Sequence, residues 1–291
     1  MNIIVIALWL IGGLFGQAHA KQQVKPFNDI VLIVNFNHPY YKNIDILNAL
    51  YADIFGDVIF YGEKQGSRVI SVPTRTGYLL HDVIKDACER FPQAKGYLFL
   101  QDDCVLHFWN LMHLDQEKIW YAVAFNDGLS QRDKFYSILN PAGQCQGFWW
   151  DKWGYDCGFG AAHRAYRQLN SRYVHKIQEN VGKDFIPANM CEVFYVPSKF
   201  RESFLELNEI FKDVFCEIAV PSMLCCLDSI HHWEKLNMLG GAGVGLGGPD
   251  SPALANYPME VSWVHPIKFS YKENQERMLD IFQKIKQKII R

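Results

Sequence analysis

Asp29–Asn35 (DIVLIVN) is apolar at every interior position, and this run constrains the fold more than any other segment. A strand without alternation must be buried on both faces, which happens in a parallel sheet covered by helices on each side. The following residues supply that pattern. Asn43–Phe55 carries Ile44, Leu47, Leu50, Tyr51 and Ile54 at helical spacing, and Asp57–Tyr61 and Arg68–Val72 read as two further strands. Gly77–Phe91 is predicted helical, with Leu80, Val83, Ile84 and Ala87 on one face and Pro92 just beyond. Gly96–Leu100 (GYLFL) is the next buried strand. The expected class is therefore α/β: an open, Rossmann-like, mostly parallel sheet with crossover helices.

The pattern is less regular in the C-terminal half. Lys118–Ala124, Cys191–Val196 and Val261–Val264 read as strands, and Asn126–Gly160 reads as loop. Ser198–Asp213, Cys216–Leu227 and Tyr271–Ile290 read as helices, the second interrupted by Pro221. No repeat or linker divides the chain, so 21–291 is expected to be one domain. Hydrophobic residues make up 49% and charged residues 21%, which excludes a disordered chain and a multi-span membrane protein. A net charge of −2 provides no basic field for nucleic acid.

Ile3–Phe15 is apolar and is followed by Ala18-x-Ala20, the small-residue form of a signal-peptidase site. The run is shorter than the roughly 20 residues a spanning helix needs. Residues 1–20 are thus expected to be a signal peptide, or a short membrane anchor if uncleaved, and the chain to enter the secretory pathway. Eight cysteines permit disulfides there without choosing a pairing, and Cys145 with Cys157 is the favoured pair.

Chemistry concentrates where the fifth apolar run ends. Gln101-Asp102-Asp103 sets two carboxylates at a strand's carboxyl end, where open α/β sheets collect ligands. Adjacent residues of an extended chain point to opposite sides, so one acid can face a metal and its neighbour a ribose. A solvated Asp-Asp turn would use the same letters. Asn35, Asn37 and His38 follow the first strand. Val214–Ala219 puts Glu217 at a helix start, where the backbone dipole favours an anion. Val261–Lys268 is a short strand running into His265 and Lys268. Gln146–Gly160 gathers Trp149, Trp150 and Trp153 among Asp151 and Asp156, residue types that stack on sugar faces and bind hydroxyls.

An apolar strand ending in this acidic pair resembles the DxD site of GT-A fold glycosyltransferases, with x-Asp-Asp here in place of Asp-x-Asp. That family binds a nucleotide-sugar donor through a divalent metal. The resemblance implies Asp103 as metal ligand, with His265 as a second, holding Mn²⁺ or Mg²⁺. It implies Asp102 as a ribose or sugar contact, Asn35 at the nucleobase and Lys268 at the diphosphate. Glu217 would be the general base of an inverting reaction. Trp149, Trp150, Asp151, Trp153 and Asp156 would form the subsite for a glycan, protein or lipid acceptor, in the Golgi or ER lumen. Two other classes use the same residues: a carbohydrate-binding scaffold on a degenerate transferase fold, and a secreted glycoside hydrolase with Asp103 and Glu217 as its acid/base pair.

Overall fold

The structure is a computed structural model that describes residues 25–122, 135–137, 156–183, 185–240, 247–250 and 256–289. The signal-peptide segment, Cys145 and the acceptor candidates Trp149, Trp150, Asp151 and Trp153 lie outside the described residues. So do residues 241–246 of the glycine-rich loop.

The central sheet has seven strands in the order β10-β6-β9-β4-β1-β2-β3. These are β1 (Phe27–Phe36), β2 (Phe55–Gly62), β3 (Ile70–Ser71), β4 (Gly96–Gln101), β6 (Trp120–Tyr121), β9 (Val193–Pro197) and β10 (Glu234–Lys235). The run Asp29–Asn35 forms the middle of this sheet: β1 pairs parallel with β2 on one side and β4 on the other. β9 runs against β4 and β6, and every other pairing in the sheet is parallel.

Because strand side chains alternate, the apolar run splits between two cores. Val31 and Ile33, with Tyr97 and Phe99 of β4, face the first core. It is completed by α2 (His81–Arg90), α3 (Phe159–Tyr166), α4 (Ser171–Val181), α5 (Arg201–Ile210) and α6 (Cys216–Leu227). Ile30, Leu32, Val34 and Phe36, with Leu98 and Leu100, face the second. There they meet α1 (Ile44–Tyr51), α7 (Lys272–Ile289) and a smaller sheet, β11-β12-β5. In that sheet β5 is Val105–Leu106, β11 Met238–Gly240 and β12 Trp263–His265. A further pair, β7 (Phe135–Ser137) with β8 (Phe185–Pro187), lies within the C-terminal half.

The architecture is the expected mixed α/β fold with a mostly parallel sheet, and three details differ from expectation. The stretch read as loop holds β7 and the start of α3, and α4 has no counterpart in the sequence reading. Helix α6 runs straight through Pro221 rather than breaking there. Proline lacks the N–H that would bond the carbonyl four residues back, that of Glu217. This carbonyl instead accepts from the Asn189 N–H at 2.8 Å, so the missing donor is replaced from outside the helix. Finally, Cys157 is a buried free thiol, as are the six other cysteines among the described residues.

His107 extends the pairing of β5 with β12 in the smaller sheet. Its N–H donates to the Ser262 carbonyl at 2.8 Å, and its ring stacks on Trp109. Nδ1 lies 2.8 Å from the Val261 carbonyl, which can only accept, so Nδ1 carries the proton and Nε2 accepts from the Tyr257 hydroxyl at 2.6 Å. Burial lowers its pKa from 6.5 to about 4, the Val261 bond opposing in part. The unfolded chain therefore binds a proton that the folded chain refuses, and stability drains as pH falls from about 6.5 through about 4. At about 1.4 kcal/mol per pKa unit the loss from this ring is about 3 kcal/mol. Urea unfolding at pH 7 and pH 4.5 should show it. His107→Gln should flatten that difference, and an unchanged pH dependence in the variant would contradict the assignment.

Candidate active site at the carboxyl end of the sheet

β1 sends its crossover helix α1 to one face of the sheet, whereas α2, which leads into β4, packs on the other. The crevice between β1 and β4 is thus the switch point at which such sheets hold ligands. A cavity of about 700 Å³ opens there, lined by residues from six separate segments. Asn37, His38, Tyr40 and Asn43 follow β1; Thr76, Gly77 and Tyr78 precede α2; Gln101, Asp102 and Asp103 end β4. Met190 and Glu192 precede β9, Phe215–Glu217 open α6, His265 ends β12, and Pro266 and Lys268–Ser270 follow it.

The two aspartates have unlike surroundings. Asp102 is buried, with its N–H on the Asn35 carbonyl at 3.1 Å. Burial, then the charge of Asp103, push its carboxyl up to about 8, so it is neutral at pH 7. Burial acts in the same direction on Asp103, but His265 and Lys268 overcome it and bring that carboxyl down to about 2. His265 Nε2 is 3.3 Å from Asp103 Oδ1 and Lys268 Nζ 2.5 Å from Oδ2. Burial by itself would lower the His265 pKa, but the Asp103 carboxylate raises it.

Backbone bonds hold these partners in place. The Ile267 N–H donates to the Asp103 carbonyl at 2.7 Å, and Asn274 of α7 donates to the carbonyls of Gly247 and Lys268 at 2.9 and 2.8 Å. On the opposite wall, the Cys216 N–H bonds the Tyr78 carbonyl at 2.8 Å, which sets the start of α6 and Glu217 against the cavity.

The donor set fits a hard divalent cation. Asp103 Oδ1 and His265 Nδ1 are buried without a hydrogen-bond partner. The 3.3 Å between Oδ1 and Nε2 is close to the roughly 3 Å separating adjacent ligands of an octahedral ion with bonds of about 2.1 Å. Cys104 lies within the same group of candidate ligand atoms. Its thiol is fully buried in the second core, and burial followed by the charge of Asp103 holds its pKa well above 9.0. A soft thiol is a poor match for a hard cation, which takes oxygen ligands first.

The sequence candidates fall into three groups. Asp102, Asp103, Glu217, His265 and Lys268 share the cavity. Asn35 does not line it: buried at the end of β1, it donates through Nδ2 to Asn37 Oδ1 at 3.3 Å, and Asn37 is the residue that faces the cavity. Asp156 lies apart as an exposed partner of Arg75, at 2.9 and 3.2 Å. Glu192 escaped the sequence reading. A lone acid opening the apolar run Cys191–Val196 is the one signal that could have marked it.

The cavity at the end of the open α/β sheet is lined by polar and charged groups, and the chain is similar to two plant proteins, each named as a probable glycosyltransferase. The "Probable glycosyltransferase STELLO2" of Arabidopsis thaliana is 25% identical over 261 residues, covering 86% of this chain and 31% of that protein. "Probable glycosyltransferase STELLO1" from the same plant is 23% identical over 216 residues, covering 73% and 26%. The chain therefore spans less than a third of the length of these curated relatives. No family model matches it. Among the described residues no helix is long and apolar enough to cross a membrane.

Gly77 is a point at which the cavity wall depends on glycine. Its φ is +83°, and a Cβ there would lie 1.8 Å from Asn37 Oδ1. Gly77→Ala should lower stability by at least the roughly 1–2 kcal/mol of a left-handed backbone and displace Asn37 from the wall. Thermal unfolding of the variant measures this, and an unchanged midpoint would contradict it.

Proposed function

We propose that this chain is a metal-dependent glycosyltransferase of GT-A type, transferring a sugar from a nucleotide-diphosphate donor to a glycan, protein or lipid acceptor. The similarity to two plant proteins named as glycosyltransferases supports the class. The observation that carries the chemistry is the ionised Asp103 beside His265 and Lys268, at the switch point of the sheet.

In this reading Asp103 and His265 hold Mn²⁺ or Mg²⁺. When bound, the cation supplies positive charge against the diphosphate as it leaves. Lys268 adds its own ammonium to that end of the cavity, in a partly dry site where a fixed charge acts strongly. Asp102, neutral at pH 7, can donate a hydrogen bond as well as accept one, which suits a ribose or sugar hydroxyl. Asn37, backed by Asn35, faces the base end. Glu217 takes the proton from the acceptor hydroxyl if the reaction inverts.

The acceptor subsite is assigned to Trp149, Trp150, Asp151, Trp153 and Asp156, and the site of action to the lumen of the secretory pathway. A hydrolase using Asp103 as its acid is disfavoured, since a carboxyl titrating at about 2 has no proton to give near neutral pH.

Turnover of a panel of nucleotide-sugars, with Mn²⁺, with Mg²⁺ and with chelator, tests the proposal. Activity should require the divalent ion. Asp103→Asn should abolish the metal-dependent binding of nucleoside diphosphate, and Glu217→Gln should lower kcat by about 10²–10⁴-fold while donor binding persists. Full activity in chelator or in Asp103→Asn would contradict the metal role. Glycan binding without any affinity for nucleotide would instead identify a scaffold.

A further inference from the structure

We infer that Glu192 is a positioning residue for His265: its carboxylate fixes which imidazole nitrogen carries the proton, and so turns a bare Nε2 toward Asp103. The inference rests on the proposed cation site and adds a residue to it. Its ground is the antiparallel run of β9, which brings the start of that strand to the end of β4. Leu100 pairs with Val193, and the Gln101 N–H donates to the Glu192 carbonyl at 2.9 Å. The Glu192 side chain therefore enters the cavity floor from the next strand over, 7% exposed.

There it meets the far edge of the His265 ring. Glu192 Oε1 lies 3.8 Å from Nδ1, while Asp103 Oδ1 lies 3.3 Å from Nε2, so the imidazole sits between two carboxyl groups. Both Glu192 Oε2 and His265 Nδ1 are buried without a hydrogen-bond partner. At 3.8 Å the Glu192 oxygen nearest Nδ1 lies beyond hydrogen-bond length, and a proton on Nδ1 makes the contact between the ring and that carboxyl group attractive. It leaves the Nε2 lone pair facing Asp103 Oδ1 at 3.3 Å, an arrangement that a cation between them, or a second proton on the ring, reconciles. The opposite tautomer would set a bare Nδ1 against the carboxyl oxygens of Glu192, whose pKa burial raises. Acidic partners of this kind orient ligating histidines at metal sites generally, and their loss weakens metal binding about 10–100-fold.

The test uses the whole chain, labelled with ¹⁵N-histidine. Long-range ¹H–¹⁵N spectra, recorded without metal at a pH where the ring is neutral, read the His265 tautomer directly. Calorimetry reads the affinity for Mn²⁺ alone. Wild type should show the proton on Nδ1. Glu192→Leu should scramble the tautomer and weaken Mn²⁺ binding at least tenfold, while Glu192→Gln, which keeps an acceptor oxygen, should recover most of the affinity. A wild-type ring protonated on Nε2 alone overturns the inference, as does a Glu192→Leu protein that binds Mn²⁺ like wild type. Should Glu192→Leu fail to fold, the wild-type spectrum and the Glu192→Gln affinity still decide. A wild type that binds no Mn²⁺, yet loses its Nδ1 proton in Glu192→Leu, overturns the cation site and leaves the positioning role standing.

Discussion

Two neighbouring carboxylates cannot both remain charged out of water, and the site is organised around that constraint. Asp102 and Asp103 stand together at the end of β4 and line the cavity, Asp102 buried and Asp103 with 20% of its side chain exposed. The conflict is resolved asymmetrically: Asp102 gives up its charge, and Asp103 keeps its own because a lysine and an imidazole flank it. Neither partner is local. His265 ends β12 and Lys268 lies just after it, more than 150 residues downstream (|i−j| = 165 for Lys268). The smaller sheet and α7 bring that segment back, through the Ile267–Asp103 backbone bond and the Asn274 side chain.

The remaining walls follow from topology. The crossovers on either side of β1 and β4 go to opposite faces, which opens a crevice at their carboxyl ends. β9 runs against β4, and this one reversal delivers Glu192 to the floor of the crevice. Glu217 reaches the opposite wall because α6 begins there, with its first turn tied to the Tyr78 carbonyl. The replacement of the Pro221 bond by Asn189 links the same turn to the segment entering β9. The two acids thus share a support, so a change in that segment should be felt by both.

The sequence reading recovered what is encoded locally. A continuous apolar run identifies β1 without reference to its neighbours, and an Asp-Asp pair closing a second such run is visible as letters. His265 and Lys268 were legible for the same reason, as polar residues ending a short apolar strand. Asn35 is still within β1 and buried there, whereas Asn37 lies past the end of the strand and lines the cavity. Glu192 depends on strand order, which no local pattern carries: the antiparallel run of β9 against β4 brings the residue before β9 to that point. Pro221 misled for a related reason, since the donor replacing its missing N–H comes from outside the helix. Helices α3 and α4 pack wholly within the C-terminal half and bring no strand-end signal with them.

The central claim is that Asp103 and His265 together form the ligand pair of a divalent cation. Anomalous diffraction at the manganese edge, from crystals grown with Mn²⁺, measures this most directly. The account predicts a single strong peak within bonding distance, about 2.1 Å, of an Asp103 carboxylate oxygen and His265 Nε2. Anomalous density elsewhere in the cavity, with Asp103 still paired to Lys268 and His265 at their present distances, would contradict it.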